Sequence, residues 1–156
     1  MDVRFLCDRN LGKLVKWLRI LGYDTLWDRE NANQVFLGKA RREGRIALTR
    51  KRKFDAGGSK CLIVVKADRV EEQISEILET LTMKPDPKGR MTLCLRCNAK
   101  LEAVTEAEVE GAVPEYVYQN STCFRKCPIC KRIYWSGTHA MNIEEILRMR
   151  IPTRLL

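Results

Sequence analysis

Residues 3–27 read VRFLCDRNLGKLVKWLRILGYDTLW. The segment opens with a short apolar run that ends at Asp8. Leu11, Leu14, Val15, Leu18 and Leu21 then recur at helical spacing, while Lys13, Lys16 and Arg19 face elsewhere, and Gly22 stands where a helix-ending glycine belongs. Tyr23–Trp27 reads as a second strand. Working outward, residues 32–43 suggest another helix closed by Gly44, Arg45–Thr49 (RIALT) a third strand, and Lys60–Val65 (KCLIVV) a fourth. Val70–Leu81 carries apolar residues at 70, 74, 77, 78 and 81, a helix with an acidic outer face. Strands alternating with helices predict an α/β fold with a parallel central sheet covered on both sides. Ligands of such sheets gather at the carboxyl ends of the strands, where Asp8, Asp28 and the basic stretch after Thr49 fall.

A turn-rich break, Met83–Arg90 (MKPDPKGR), separates this pattern from a cysteine-bearing part with a helix near Asn142–Arg150. Cys94/Cys97 and Cys127/Cys130 are two C-x-x-C pairs 29 residues apart. Each pair aims two thiolates at one point, and two pairs complete the tetrahedral shell that structural Zn²⁺ accepts. That spacing suits a zinc ribbon with an insertion. The alternative is a redox C-x-x-C or unrelated buried thiols. A closed four-sulfur shell has no open coordination position, so its role is structural. Of the three remaining cysteines, Cys7 and Cys61 read as buried thiols and Cys123 as a candidate spare ligand.

The chain has 156 residues, 45% hydrophobic and 31% charged, enough for a real core. No apolar run is long enough to span a bilayer, and MDVRFLCDRN lacks a signal peptide's apolar stretch, so the expectation is a cytoplasmic protein. An odd cysteine count argues against a disulfide framework. Net charge is +9, a field that attracts phosphate backbones without choosing between RNA, DNA and anionic lipid.

Asp8 is either a ligand for Mg²⁺ or Mn²⁺ or the N-cap of the helix that follows it. Asp24, Asp28, Glu30 and Asp55 are candidates for a shared metal site, each with a surface charge as its plainer reading. Candidate nucleic-acid contacts are Arg9, Lys13, Arg50, Lys51, Arg52, Lys53 and His139, with Arg41, Arg42 and Arg45 extending the patch; the competing reading of Arg50–Lys53 is a solvated loop. Tyr134 and Trp135 either stack on a base or cap a small hydrophobic core.

FLCDRNLGKLVKWLRILGYDTLWD, GRIALTR, CLRCNAKLEAV and KCPICKRIYWSGTH, in that order, resemble the Mut-seven C-terminal RNase domain family. The resemblance runs from about residue 3 to 141 and implies a PIN-like, three-layer nuclease domain over residues 1–83, followed by a small zinc ribbon module with a C-terminal helix over residues 91–156. It implies an RNA partner and a metal-dependent endoribonuclease in which Mg²⁺ or Mn²⁺ activates water. Asp8 matches the first acidic position, with Asp28, Glu30 and Asp55 as its catalytic helpers. The chain departs from the pattern elsewhere: Ala32, Asn33 and Gln34 stand where acidic residues are usual, and Lys51 stands where Asp follows the Leu48-Thr49-Arg50 triplet. A Lys51 ammonium paired with Asp8 would fill the space of a divalent ion. Two readings follow, a ribonuclease with a partly degenerate acidic site and a non-catalytic nucleic-acid-binding protein on the same fold; a third is an interaction module whose charge serves solubility.

Overall fold

Strand β1 (Phe5–Cys7) is buried along its whole length, so its alternating side chains serve two cores. Phe5 and Cys7 join Leu14, Leu18, Ile74 and Ile77, whereas Leu6 joins Phe36, Leu37 and Ala40 on the opposite face. The structure is a computed structural model that describes residues 2–54 and 59–156, the side chains of 138–142 excepted. Strands β2 (Thr25–Trp27), β3 (Ile46–Thr49) and β4 (Leu62–Val64) complete a parallel sheet of order β2-β1-β3-β4. Helices α1 (Gly12–Ile20) and α3 (Val70–Thr80) cover one face and α2 (Gln34–Glu43) the other. This is the expected three-layer α/β architecture.

Local chemistry sets the boundaries. The second strand begins at Thr25, two residues later than its sequence pattern suggests, because Gly22 and Tyr23 finish α1. Gly22 has φ +94°, and the Tyr23 N–H donates back to the Leu18 carbonyl at 2.9 Å. A Cβ on Gly22 would also lie 2.4 Å from the Gly89 carbonyl oxygen, so no other residue fits there. Helix α2 begins at Gln34 because the Asn33 side chain accepts from the Phe36 N–H at 2.9 Å.

A second, antiparallel sheet has the order β5 (Glu102–Val104), β6 (Phe124–Lys126), β7 (Ile133–Trp135). Helices α4 (Glu106–Val109) and α5 (Glu115–Asn120) form the insertion between β5 and β6, and Val109 and Val117 cover Phe124. Helix α6 (Thr138–Arg150) starts four residues before the expected position and carries Leu147 into the α1–α3 core. The 83–90 stretch is a docked turn: its Pro87–Gly89 bend sits against Gly22, and the Met91 N–H donates to the Ile20 carbonyl at 2.9 Å.

Three residues expected at the surface or in the phosphate patch prove to be structural. Arg19 is 7% exposed and donates to the Thr25 carbonyl at 2.8 and 3.0 Å and to the Leu95 and Arg96 carbonyls at 2.8 and 3.2 Å. It thereby joins α1, β2 and the first C-x-x-C turn. Arg45 and Asp24 lie at the amino ends of β3 and β2, the wrong end of the sheet for the site. The Arg45 guanidinium holds Asp24 at 2.7 Å and Glu43 at 2.9 Å, and Asn98 donates to the same Asp24 oxygen at 2.6 Å.

Burial acts to raise the Asp24 carboxyl, but hydrogen bonds from Arg45 and Asn98 outweigh it and hold the group below its ordinary 3.8. A depressed folded value means that this contribution is present above 3.8 and disappears as pH falls through the lower folded value. Asp24→Asn is expected to cost about 0.5–1 kcal/mol at neutral pH, a modest figure because the site is part-exposed. In denaturation series at several pH values the gap from wild type should close below pH 3.8; a gap that persists unchanged in acid contradicts the assignment. Arg19→Met should cost roughly 3 kcal/mol or more, since it leaves buried carbonyls unpaired.

Candidate nucleic-acid cleft and metal centre

The parallel register sets Cys7 beside Trp27 on one side and Leu48 on the other, so Asp8, Asp28 and Thr49 end three adjacent strands. Asp8 is 1% exposed. Its Oδ1 accepts from the Asn10 N–H at 3.0 Å, capping the turn Arg9–Leu11, and its Oδ2 accepts from the Thr49 hydroxyl at 2.5 Å. Asp28 accepts from the Glu30 N–H at 3.0 Å and lies 3.8 Å from the Lys39 ammonium, while the Glu30 side chain is exposed. Lys51 makes no salt bridge with Asp8; its ammonium donates to the Ala32 carbonyl at 3.3 Å and lies 5.6 Å from the Phe54 ring. Asp55 and the His139 side chain fall outside the described residues.

A Mg²⁺ or Mn²⁺ ion that works on phosphate shares its shell with water and substrate, so its carboxylates must reach solvent. Asp8 does not. Among the described residues no group of three carboxylates or imidazoles converges, and the cysteine quartet is the sole cluster of metal-ligating type. Among the described residues, Asp8 and Asp28 are thus not joined by a third carboxylate in a ready-made Mg²⁺ or Mn²⁺ site.

Beside these strand ends lies a cleft of about 840 Å³ whose walls include Arg9, Lys13, Arg50, Arg69 and Arg150. Asp68 and Glu71 enter the same cleft, where Arg50 pairs with Asp68 and Arg150 with Glu71. Arg9, Lys13 and Arg69 make no salt bridge among the described residues. Trp27 closes one end: it lies over the first turn of α1, where a Cβ on Gly12 would meet its ring at 2.9 Å, and Arg29 stacks on it at 4.0 Å. The four consecutive cations 50–53 do not act as a block. Arg50 faces the cleft, Lys51 turns toward Ala32, and Arg52 and Lys53 are exposed in a turn outside it. Arg41 and Arg42 are exposed on α2, across the sheet from this wall. Sequence reasoning missed Arg69 and Arg150. Arg69 precedes α3 just after β4, so the strand-end rule points to it, whereas Arg150 arrives from a helix that no local pattern ties to the cleft.

The four cysteine sulfurs lie within 4.8 Å of one another. Cys94 and Cys130 are 3.7 Å apart, which matches the edge of a tetrahedron with metal–sulfur bonds of about 2.3 Å. The two turns repeat one hydrogen-bond pattern. Asn98 N–H donates to Cys94 at 2.9 Å and Cys94 N–H to Ala99 at 2.8 Å; Lys131 donates to Cys127 at 3.0 Å and Cys127 to Arg132 at 2.9 Å. Asn98 and Lys131 share the same left-handed φ of 62°. Exposed Cys123 stands outside the quartet, Cys7 is buried as expected, and Cys61 is only half-buried.

Burial opposes ionisation of Cys94, but hydrogen bonds from the Tyr134 hydroxyl and from backbone N–H groups overcome it and bring the thiol down to about 6. Desolvation, with Cys130, Cys127 and Cys94 beside it, pushes Cys97 up to about 12. The Cys94 thiolate forms readily while that of Cys97 beside it is opposed, and a divalent cation reconciles thiolates packed this closely. The quartet can hold a metal ion and is compatible with a zinc ribbon. Metal analysis should find about one zinc per chain, and chelation or Cys127→Ser should unfold the second sheet, because structural zinc contributes on the order of 10–16 kcal/mol. Full thermal stability after complete metal removal would contradict this.

Neither the comparison with curated proteins nor that with solved structures yields a match. The family model described as the Mut7-C RNAse domain matches residues 3–147, which takes in the parallel sheet, both cysteine pairs and the walls of the cleft apart from Arg150. The chain belongs to the Mut7-C RNAse domain family.

Proposed function

We infer that this chain binds single-stranded RNA in the cleft between α1, α3 and α6, as a nuclease-fold protein that holds phosphate without metal-dependent cleavage. One observation carries the reading. At the strand ends the matching carboxylate, Asp8, is withdrawn from solvent, while Arg9, Lys13 and Arg69 line the adjoining cleft without salt bridges among the described residues. The net charge of +9 adds long-range attraction for a polyanion. Membership of an RNAse domain family supports RNA over DNA. On this reading residues 1–83 form the PIN-like unit, and residues 91–156 form a ribbon braced by structural Zn²⁺.

Metal-dependent endoribonuclease activity is the second reading. It is favoured by the placement of Asp8 and Asp28 at the ends of paired strands. It requires Asp8 to become exposed and a third carboxylate to join it.

Binding of a labelled oligouridylate at increasing salt separates the cases. Three unpaired cations predict a log–log slope of about −2 for a single strand. Lys13→Glu and Arg69→Glu should each weaken binding roughly tenfold and flatten that slope. With Mn²⁺ present the strand should stay intact. Cleavage that Asp8→Asn abolishes would replace this reading with the nuclease one, and binding indifferent to salt would remove the nucleic-acid role.

A further inference from the structure

Next to the basic cleft lies a second, open cavity of about 410 Å³, bounded by α1, the second sheet and α6. Trp17 and Ile146 line both cavities, so the two are neighbours along α1. The second has a different character. Trp17, Tyr134 and Trp135 form its walls with Met91 and Ile146, and Lys16, exposed on α1, is its one charged member.

These aromatic rings are half-buried: each packs against an adjoining core cluster and also lines the cavity. Among the described residues the ring–ring contact is Phe5 with Tyr23, so Trp17, Tyr134 and Trp135 have no stacking partner. Neither indole N–H has a hydrogen-bond acceptor among those residues. Tyr134 is fixed in place, because its hydroxyl donates to or accepts from Cys94 sulfur at 3.2 Å and accepts from the Leu95 N–H at 3.1 Å. A platform held by the first cysteine turn loses little entropy when a ligand settles on it.

We propose that this aromatic cavity is a binding site for an unpaired nucleobase of the RNA strand whose phosphates lie in the adjoining basic cleft. The proposal rests on the RNA-binding reading above and adds the ligand's chemistry to it. Size agrees: pockets for small planar ligands measure about 300–1,000 Å³. Charge also agrees, since Lys13 and Lys16 follow one another along α1 from the cleft to the cavity rim, a path a phosphodiester can take while its base turns inward. Aromatic walls accept any base by its π-face, so the site selects unpaired strands and not a sequence. A base paired in a duplex cannot enter.

The test compares an oligouridylate with an abasic strand of the same length, which keeps every phosphate and removes every base. Wild type should bind the oligouridylate roughly 5- to 100-fold more tightly, with both strands showing the same salt slope. Trp17→Leu should erase that preference and leave the slope unchanged. Because Trp17 also packs on the α1 core, the wild-type protein supplies an independent readout. A 2-aminopurine placed in the strand should lose emission on binding through contact with the indoles. Equal affinity for the two strands, or undiminished 2-aminopurine emission in the complex, overturns the base site while leaving the RNA-binding reading intact. Failure of both strands to bind overturns that reading and this one together.

Discussion

The buried guanidinium of Arg19 is the contact on which the arrangement of the molecule depends. One side chain from α1 donates to the first residue of β2 and to two carbonyls of a cysteine turn more than seventy residues away. Burial pulls its pKa below the ordinary value, yet an arginine remains charged under any physiological condition. A charge placed there is stable only while all its acceptors stay in position. Asn98 adds to the junction: it takes the Thr25 N–H and reaches Asp24, which Arg45 already holds. The cysteine turn is therefore part of the wall of the α/β core, and a metal that orders the turn also orders the end of β2.

From this junction follow the two cavities. With the second sheet fixed against α1, helix α6 returns across its far side and leaves an apolar space, then continues to bring Arg150 to the cleft. Helix α1 separates the two spaces. Its Trp17 belongs to both, its Lys13 faces the basic one and its Lys16 the aromatic one. The family relationship accounts for the fold and points to a nucleic-acid-related function, but the chemistry at the strand ends is decided by this chain's own residues. The Asp8 carboxylate accepts from the Asn10 N–H and from the Thr49 hydroxyl, and so ties the turn before α1 to the end of β3. Lys51, next to these strand ends, turns toward Ala32.

Much of this was legible in the sequence, for identifiable reasons. Strand–helix alternation gave the parallel sheet because periodicity changes from residue to residue in ways that only burial explains, and paired C-x-x-C turns gave the metal quartet because their geometry is local. Asp8 as an N-cap was a local reading too. Arg19 was misread, although helical geometry held the clue. Each three-residue step from Lys13 through Lys16 lags the helical repeat by about 60°, so Arg19 lies about 120° from Lys13 and next to buried Val15. What could not be read locally is its set of partners at residues 95 and 96. The same holds for Asp24 and Arg45, which look like members of a site until the sheet's direction places them at its other end. Arg150 and the aromatic cavity arise from the return of α6, and no short-range pattern encodes that.

The most direct test of the account is the hydrogen-exchange footprint of oligouridylate on the zinc-loaded protein. The account predicts slowed exchange in three separated stretches at once: the turn and first half of α1, the start of α3 at residues 69–73, and β7 at residues 133–135. A footprint confined to α2 and the exposed turn at residues 51–53, or no footprint in β7, would contradict it.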